Sequence, residues 1–409
     1  MLKGTVLLTL LASCLSTSVC ADVISDWNEK AVSIVTARQL PPPQAERIMA
    51  MVHVAMFDAI NTIERRYRPY LVQFPAVPAA SREAAAAAAA GAVMIGLYPQ
   101  DTALRDTRAV YLAAIPNSDA KSAGINLGEA VATKVLEARS HDGADVLDSY
   151  RPKTAPGFYI PTAVTVGSTW ANLKPFAIAN PAQFRPQPPV ALSGDKWATD
   201  YIEIKDFGGR TSVKRSPRQT EDARFWLAPG PVIYYPVVRQ VAAAKKLDPL
   251  DSARFMALIA VARSDAFVAV FDAKYHYDFW RPITAIRNGE MDGNPATEHD
   301  ATWQPIDSTP LHPEYPCAHC IMAGSIASVV ESVFGNADVV EVVLASPTAP
   351  GVAHRWTNLW AMADEVSQAR IWAGFHYRFS TQVGEEMGRK IGQYVVKNIM
   401  QPASVADAR

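Results

Sequence analysis

Apolar residues recur every three to four positions over several long stretches of the chain, which is the spacing of one face of an α-helix. The pattern predicts helices over 44–64 (QAERIMAMVHVAMFDAINTIE), 81–97, 120–139, 251–275, 318–334 and 380–400, with Asp251 and Ser380 as candidate N-caps. Alternating apolar and polar positions are scarce, so the expected fold is all-α. The alanine run at 84–90 is compatible with the helix around it. Proline-rich stretches at 150–190 and 291–316 read as long connections, the second delivering the chain to Pro313. No internal repeat is evident. Residues 22–190 are expected to form an N-terminal helical half, packed against a second half over 191–409.

Composition adds limits to this picture. A hydrophobic content of 49% over 409 residues supplies a large core, either as one big helical domain or as two fused halves. A net charge of -1, with no basic stripe, sets nucleic acid aside as a partner. Residues 1–21 combine Lys3, the apolar run TVLLTLLAS and small residues near Ala21, the make-up of a secretory signal peptide, and predict a secreted or periplasmic protein. Cleavage after Ala21 is the expectation; Leu11-Ala12-Ser13-Cys14 also reads as a lipoprotein site that would anchor the chain through Cys14. Later in the chain the longest candidate span, 84–98, falls short of the roughly twenty residues a transmembrane helix needs.

The chemistry is concentrated in three short segments. In KYHYDFWRP, Lys274 and Arg281 stand two helical turns apart and so share roughly one helix face, where two cations can aim at one ligand. In HPEYPCAHC, Pro313 and Pro316 impose an extended approach to an apolar helix. Its N-terminus would present the N–H groups of Cys317 and Ala318 to an anion, with His319 next in line. In ARIWAGFHYRFS, Arg370 and His376 are out of phase on a regular helix, so their convergence is permitted but not dictated. Three cations suit an oxyanion carrying about two negative charges, Arg forks fit its oxygens, and two imidazoles offer a ligand or nucleophile and an acid/base. Any one of these residues alone has an ordinary reading as a solvated charge or a core group; the set points to an oxyanion pocket. Cys14 and Cys20 fall in the leader and leave Cys317 and Cys320 as a Cys-x-x-Cys pair. In an exported chain that pair suggests a disulfide. A low-pKa thiolate at the helix start is the alternative, and a metal site built on Cys317, His319 and Cys320 lacks further spaced ligands.

This order and spacing resembles the signature of the vanadium-dependent haloperoxidase and type 2 phosphatidic acid phosphatase superfamily, with the haloperoxidase branch the closer likeness. The resemblance implies a large helical bundle of that type. It further implies vanadate as cofactor, coordinated by His376 and held by Lys274, Arg281, Arg370 and the N–H groups of Cys317 and Ala318. By the same likeness His319 is the acid/base, Lys274 takes a catalytic part toward peroxide, and the substrates are hydrogen peroxide, a halide and an organic acceptor. His312 stands where chlorinating members carry Phe and brominating members His, which makes it the halide-selectivity candidate and bromide the expected halide over chloride. A homodimer is usual among similar proteins. Phosphate is isosteric with vanadate, so the same residues would serve a soluble phosphomonoesterase acting on a phosphate ester through a phosphohistidine at His376. A non-catalytic oxyanion-binding protein is the third reading. The chain departs from the pattern in two further ways. Cys317 and Ala318 replace Ser and Gly, and Ser380 replaces an Asp four residues after the last histidine, so any carboxylate partner of His376 must come from elsewhere.

Overall fold

The computed structural model describes residues 22–404, so residues 1–21, with Cys14, Cys20 and the expected leader cleavage site, lie outside the described residues. Five helices come first: α1 (Val23–Ala37), α2 (Pro42–Glu64), α3 (Arg82–Leu97), α4 (Thr102–Ala113) and α5 (Asp119–Arg139). An irregular passage over 140–194, with two 3₁₀ turns, leads to α6 (Asp195–Gly208), α7 (Pro217–Phe225), α8 (Pro231–Lys245), α9 (Pro249–Tyr277) and the short α10 (Pro282–Arg287). The last elements are α11 (Ala318–Phe334), a hairpin of β1 (Asp338–Ser346) and β2 (Ala349–Asn358), α12 (Leu359–Trp372) and α13 (Arg378–Asn398). The fold is mostly helical, and the six helices expected from periodicity are all present within a few residues of their expected ends.

Both proposed caps shift. Asp248, not Asp251, caps α9, and Asp251 lies inside its first turn as the donor to the Asp248 side chain. Ser380 lies inside α13, which starts after Tyr377, and its side chain is buried. Among the described residues the hairpin is the one β-sheet in an otherwise helical fold. DVVEVVLAS has no clean alternation, and its pairing depends on tertiary contact: the Gln240 side chain on α8 donates to the Val343 carbonyl at 2.8 Å and accepts from its N–H at 2.9 Å.

Helices α2 and α9 run through the centre. α9 is buried almost continuously from Leu250 to Lys274, which is why its apolar residues show no single stripe. α2 packs on α3, α5 and α9, while α9 also packs on α11 and α13, so one buried cluster runs from Val23 to Met400. Small residues set the closest approaches. The alanine run of α3 lies against Gly124 and Gly128 of α5, where an added Cβ would come within 2.5 Å and 2.3 Å of backbone oxygens. Gly384 and Gly388 of α13 approach the Cys317 and Ile321 carbonyls of α11 in the same way. That contact fixes the start of α11, which carries the second of the three segments.

Buried carboxylates tie the irregular passages to the core. Asp265 on α9 accepts from the N–H groups of Phe176, Ala177 and Ile178 at 2.6, 2.7 and 2.8 Å, and Asp58 on α2 accepts from Tyr70, Leu71 and Val72. Burial pushes each carboxyl up to about 6, against the lowering effect of those donors. Asp265→Ala strands three N–H groups at once, and each orphaned buried donor costs about 1–3 kcal/mol. The expected loss is therefore about 3 kcal/mol or more in chemical denaturation, and a loss under about 1 kcal/mol would show that the 176–178 strap does not depend on this residue.

Candidate active site

Lys274 and Arg281 do not share a helix face. α9 ends at Tyr277, and Asp278 takes a left-handed conformation (φ 54°) whose N–H returns to the Lys274 carbonyl. The chain then reverses, and Arg281 becomes the N-cap of α10. The two cations meet because of this turn, not because of helical periodicity. Lys274 is fully buried and donates to the carbonyls of Pro313 at 2.9 Å and Glu314 at 2.8 Å, which leaves one ammonium proton unassigned.

Arg281 draws all three segments together. Its Nε donates to the His312 carbonyl at 2.8 Å, one terminal nitrogen reaches the Phe375 carbonyl at 3.0 Å, and the other lies 2.9 Å from His312 Nδ1. The first terminal nitrogen is also 3.4 Å from His376 Nε2. Arg370, buried in the last turn of α12, donates to the Trp226 carbonyl at 2.7 Å, and its Nε has no partner. α12 stops at Trp372 and Gly374 adopts φ 79°. An added Cβ there would sit 2.5 Å from the Gly208 carbonyl, so only glycine fits this reversal. Phe375 and His376 both return N–H groups to the Arg370 carbonyl, which brings Arg370 and His376 to one centre despite their spacing.

Cys317 is the N-cap of α11 and forms a disulfide with Cys320, Cα to Cα 5.4 Å. Its N–H does not face an anion: it is donated to the Ser380 carbonyl at 3.2 Å, a consequence of the tight contact between α11 and α13. The first residue of the helix, Ala318, keeps a backbone donor with no intrahelical acceptor and lines the central cavity. His319 lines it too. Its Nε2 has no partner, and Tyr234, held over the buried Glu46–Arg263 pair that joins α2 to α9, donates to its carbonyl at 3.2 Å.

Glu314 completes the site and was not expected. Its carboxylate lies 2.8 Å from His376 Nδ1 and accepts the Tyr377 N–H at 3.1 Å. It supplies the carboxylate that Ser380 does not. Ser380 lies beside Glu314 and lowers its pKa, although neither Oγ nor the second carboxylate oxygen closes a hydrogen bond. The clue in the sequence was a lone acidic residue inside the proline-rich second segment, at a position where the family's pattern directs attention to the histidine that follows.

The electrostatics suit an anionic ligand. Burial, reinforced by the neighbouring cations, pulls Lys274, His312, His319 and His376 well below their ordinary values. Burial also lowers Arg281 to about 10 and Arg370 to about 9, and raises Glu314 to about 7. Three buried cations face one carboxylate, an imbalance that an oxyanion would relieve. Ala318, His319, Arg370 and His376 line a cavity of about 330 Å³, with Lys274 and Arg281 behind its floor.

The fold occurs in known structures. A bacterial vanadium-dependent iodoperoxidase superposes with a TM-score of 0.79 at 23% identity, covering 93% of this chain and 97% of that one. The fold is that of the vanadium haloperoxidases. An apo-type bacterial vanadium-dependent chloroperoxidase shares the haloperoxidase fold at TM-score 0.69 and 16% identity, covering 88% of this chain and 94% of that one. The family model of the VCPO second helical-bundle domain matches residues 254–404, the stretch that holds all three segments. The vanadium chloroperoxidase of Curvularia inaequalis is 24% identical over 238 residues, which is 43% of this chain and 38% of that relative, well under half its length. Among the described residues no helix is long and apolar enough to cross a membrane.

Proposed function

We propose that the protein is a vanadate-dependent haloperoxidase that uses hydrogen peroxide to oxidise a halide, bromide in preference to chloride. The observation that carries this reading is His376, whose Nδ1 is engaged by Glu314 and whose Nε2 is left on the cavity side among buried cations. The residues fit the cofactor. Arg370 Nε and His319 Nε2 are without partners at the same centre, Ala318 N–H has no acceptor within its own helix, and Lys274 and Arg281 add charge close by. Vanadate would be held by His376 Nε2 and this donor set, and when bound it supplies peroxide activation without a change in the metal's oxidation state.

His319 handles the proton. Conversion of a halide and hydrogen peroxide to hypohalous acid and water consumes one proton, and His319 Nε2 is free to take one up and deliver it. Burial, with a smaller contribution from the nearby cations, holds its pKa down, and an anion among those cations would offset their share and move the imidazole back toward the range where it can relay protons. The preference for bromide rests on His312, which lines the cavity with its ring edge-on to Phe271 at 5.3 Å. The likeness to an iodoperoxidase also supports a readily oxidised halide. A second reading is favoured by one specific contact. The Glu314–His376 pair is also what a phosphohistidine nucleophile requires, so a phosphomonoesterase acting through His376 stays in contention.

Purified protein assayed with vanadate, peroxide and bromide, beside aryl phosphate hydrolysis with vanadate as inhibitor, separates these readings. Vanadate-dependent bromination is the expected result. Phosphate hydrolysis without bromination would replace it with the hydrolase, and tight oxyanion binding with neither activity would leave a binding protein. Binding alone has a thermal signature: at about a hundredfold excess over Kd the folded state gains about 2.7 kcal/mol, a rise in Tm of about 3 °C for a chain of this size. Export and a homodimer belong to the same proposal. Recovery of the protein outside the cytoplasm with Asp22 at its N-terminus tests the first, and light scattering of the purified protein tests the second.

A further inference from the structure

We propose that the cavity above His376 is a binding site for the organic acceptor, and that the acceptor it takes is a small neutral phenol. This rests on the haloperoxidase reading and extends it from the halide to the molecule that is halogenated. The cavity, at about 330 Å³, is larger than vanadate, a halide ion and a peroxide molecule together need, and it falls in the size range of small-molecule sites. Its polar side chains include His312, His319, Arg370 and His376, which belong to the centre described above, and Asp307 and Ser308 add an exposed polar stretch. Most of the other lining residues are apolar, among them Phe267 and Phe271 from α9, Leu227, Leu311, Met322 and Phe375. Neither halide nor peroxide gains from such walls, whereas a ring does.

The site is built in advance. The rings of Phe267 and Phe271 are stacked at 5.9 Å, and Phe271 continues edge-on to His312. Phe271 is held by Gly167, where an added Cβ would lie 2.3 Å from the ring. Prolines 42, 43, 229 and 310 stiffen the lining. Asp307 is exposed on the lining, and with the buried cations offset by vanadate its carboxylate would disfavour an anionic acceptor relative to a neutral one. A phenol held here meets the oxidised halogen where it forms. A ring carbon–halogen bond forms as the ring C–H breaks, and the hydroxyl of the hypohalous acid leaves as water with that proton, so one phenol and one hypohalous acid give one halophenol and one water.

The probe is 4-methylphenol. Titrated calorimetrically into the full chain without vanadate or peroxide, it is expected to bind with 1:1 stoichiometry, and Leu311→Trp and Val166→Trp, two half-buried lining positions that a larger ring would fill, are each expected to weaken binding at least tenfold. In the loaded enzyme, 4-methylphenol competes with a tyrosine-containing peptide too large to enter. The product ratio, from which the rate of halide oxidation cancels, is expected to favour 4-methylphenol at least tenfold over the ratio given by reagent hypobromous acid, and to fall back toward that ratio in whichever variants fold. A ratio equal to the reagent's, or 4-methylphenol binding that neither folded variant weakens, overturns the acceptor site. Triiodide formation from iodide by the loaded enzyme keeps the two readings apart. Triiodide without saturable 4-methylphenol binding sinks the acceptor site alone, and no triiodide sinks the haloperoxidase reading and the acceptor role with it.

Discussion

His376→Ala is expected to lower vanadate-dependent bromide oxidation by at least about 10³-fold, beyond the effect of removing a single hydrogen-bond donor at an active centre. The reason is position, since His376 lines the cavity where Arg281, Arg370 and Glu314 converge, with Nδ1 held by the Glu314 carboxylate at 2.8 Å and Nε2 3.4 Å from Arg281. The variant should keep its fold, because the turn that places residue 376 depends on Gly374 and on backbone bonds to the Arg370 carbonyl. It should also keep weak phosphate binding, because Lys274, Arg281, Arg370 and the Ala318 N–H remain. Steady-state bromination, with a phosphate-induced Tm shift measured on the same sample, checks both halves. Near-normal bromination in His376→Ala would remove the basis for placing vanadate on this residue.

The helices that could be read from the sequence are those with unambiguous periodicity or an unbroken apolar run, such as α2, α9 and α11. Helix α8 was not legible, since its VIYYPVV core carries an internal proline and aromatic residues, and it is held by burial against α1 and the hairpin. The order of the three segments was legible and so were their cations. What the sequence could not reveal was how they meet. Lys274 and Arg281 come together through the left-handed turn at Asp278, and Arg370 and His376 through the one at Gly374, both outside any regular period. The donor role of Cys317 failed for a related reason, since a neighbouring helix takes its N–H and that contact is set by glycines more than sixty residues along the chain. The disulfide between Cys317 and Cys320 follows from local spacing and was among the readings their sequence allowed.

Glu314→Gln isolates what the carboxylate does for His376. With Glu314 ionised, Nδ1 carries the proton and donates, so the Nε2 lone pair is the one left for a ligand. Glutamine is nearly isosteric and its amide oxygen can still accept from Nδ1 and from the Tyr377 N–H, so the fold should hold and the tautomer is preserved. The negative charge is lost, and with it the basicity it lends the ring. The amide nitrogen would then face Ser380, whose hydroxyl has no partner. Loss of such a supporting partner typically costs 10–100-fold in metal affinity, and a drop in vanadate affinity of that size is expected with Tm in the absence of vanadate nearly unchanged. If the amide instead turns its nitrogen toward Nδ1, the ring is forced into the other tautomer and the loss is larger. Equilibrium dialysis of vanadate against both proteins reads the effect directly. A purely structural role for Glu314 would instead lower Tm and leave the affinity of the folded fraction within about twofold of the wild type.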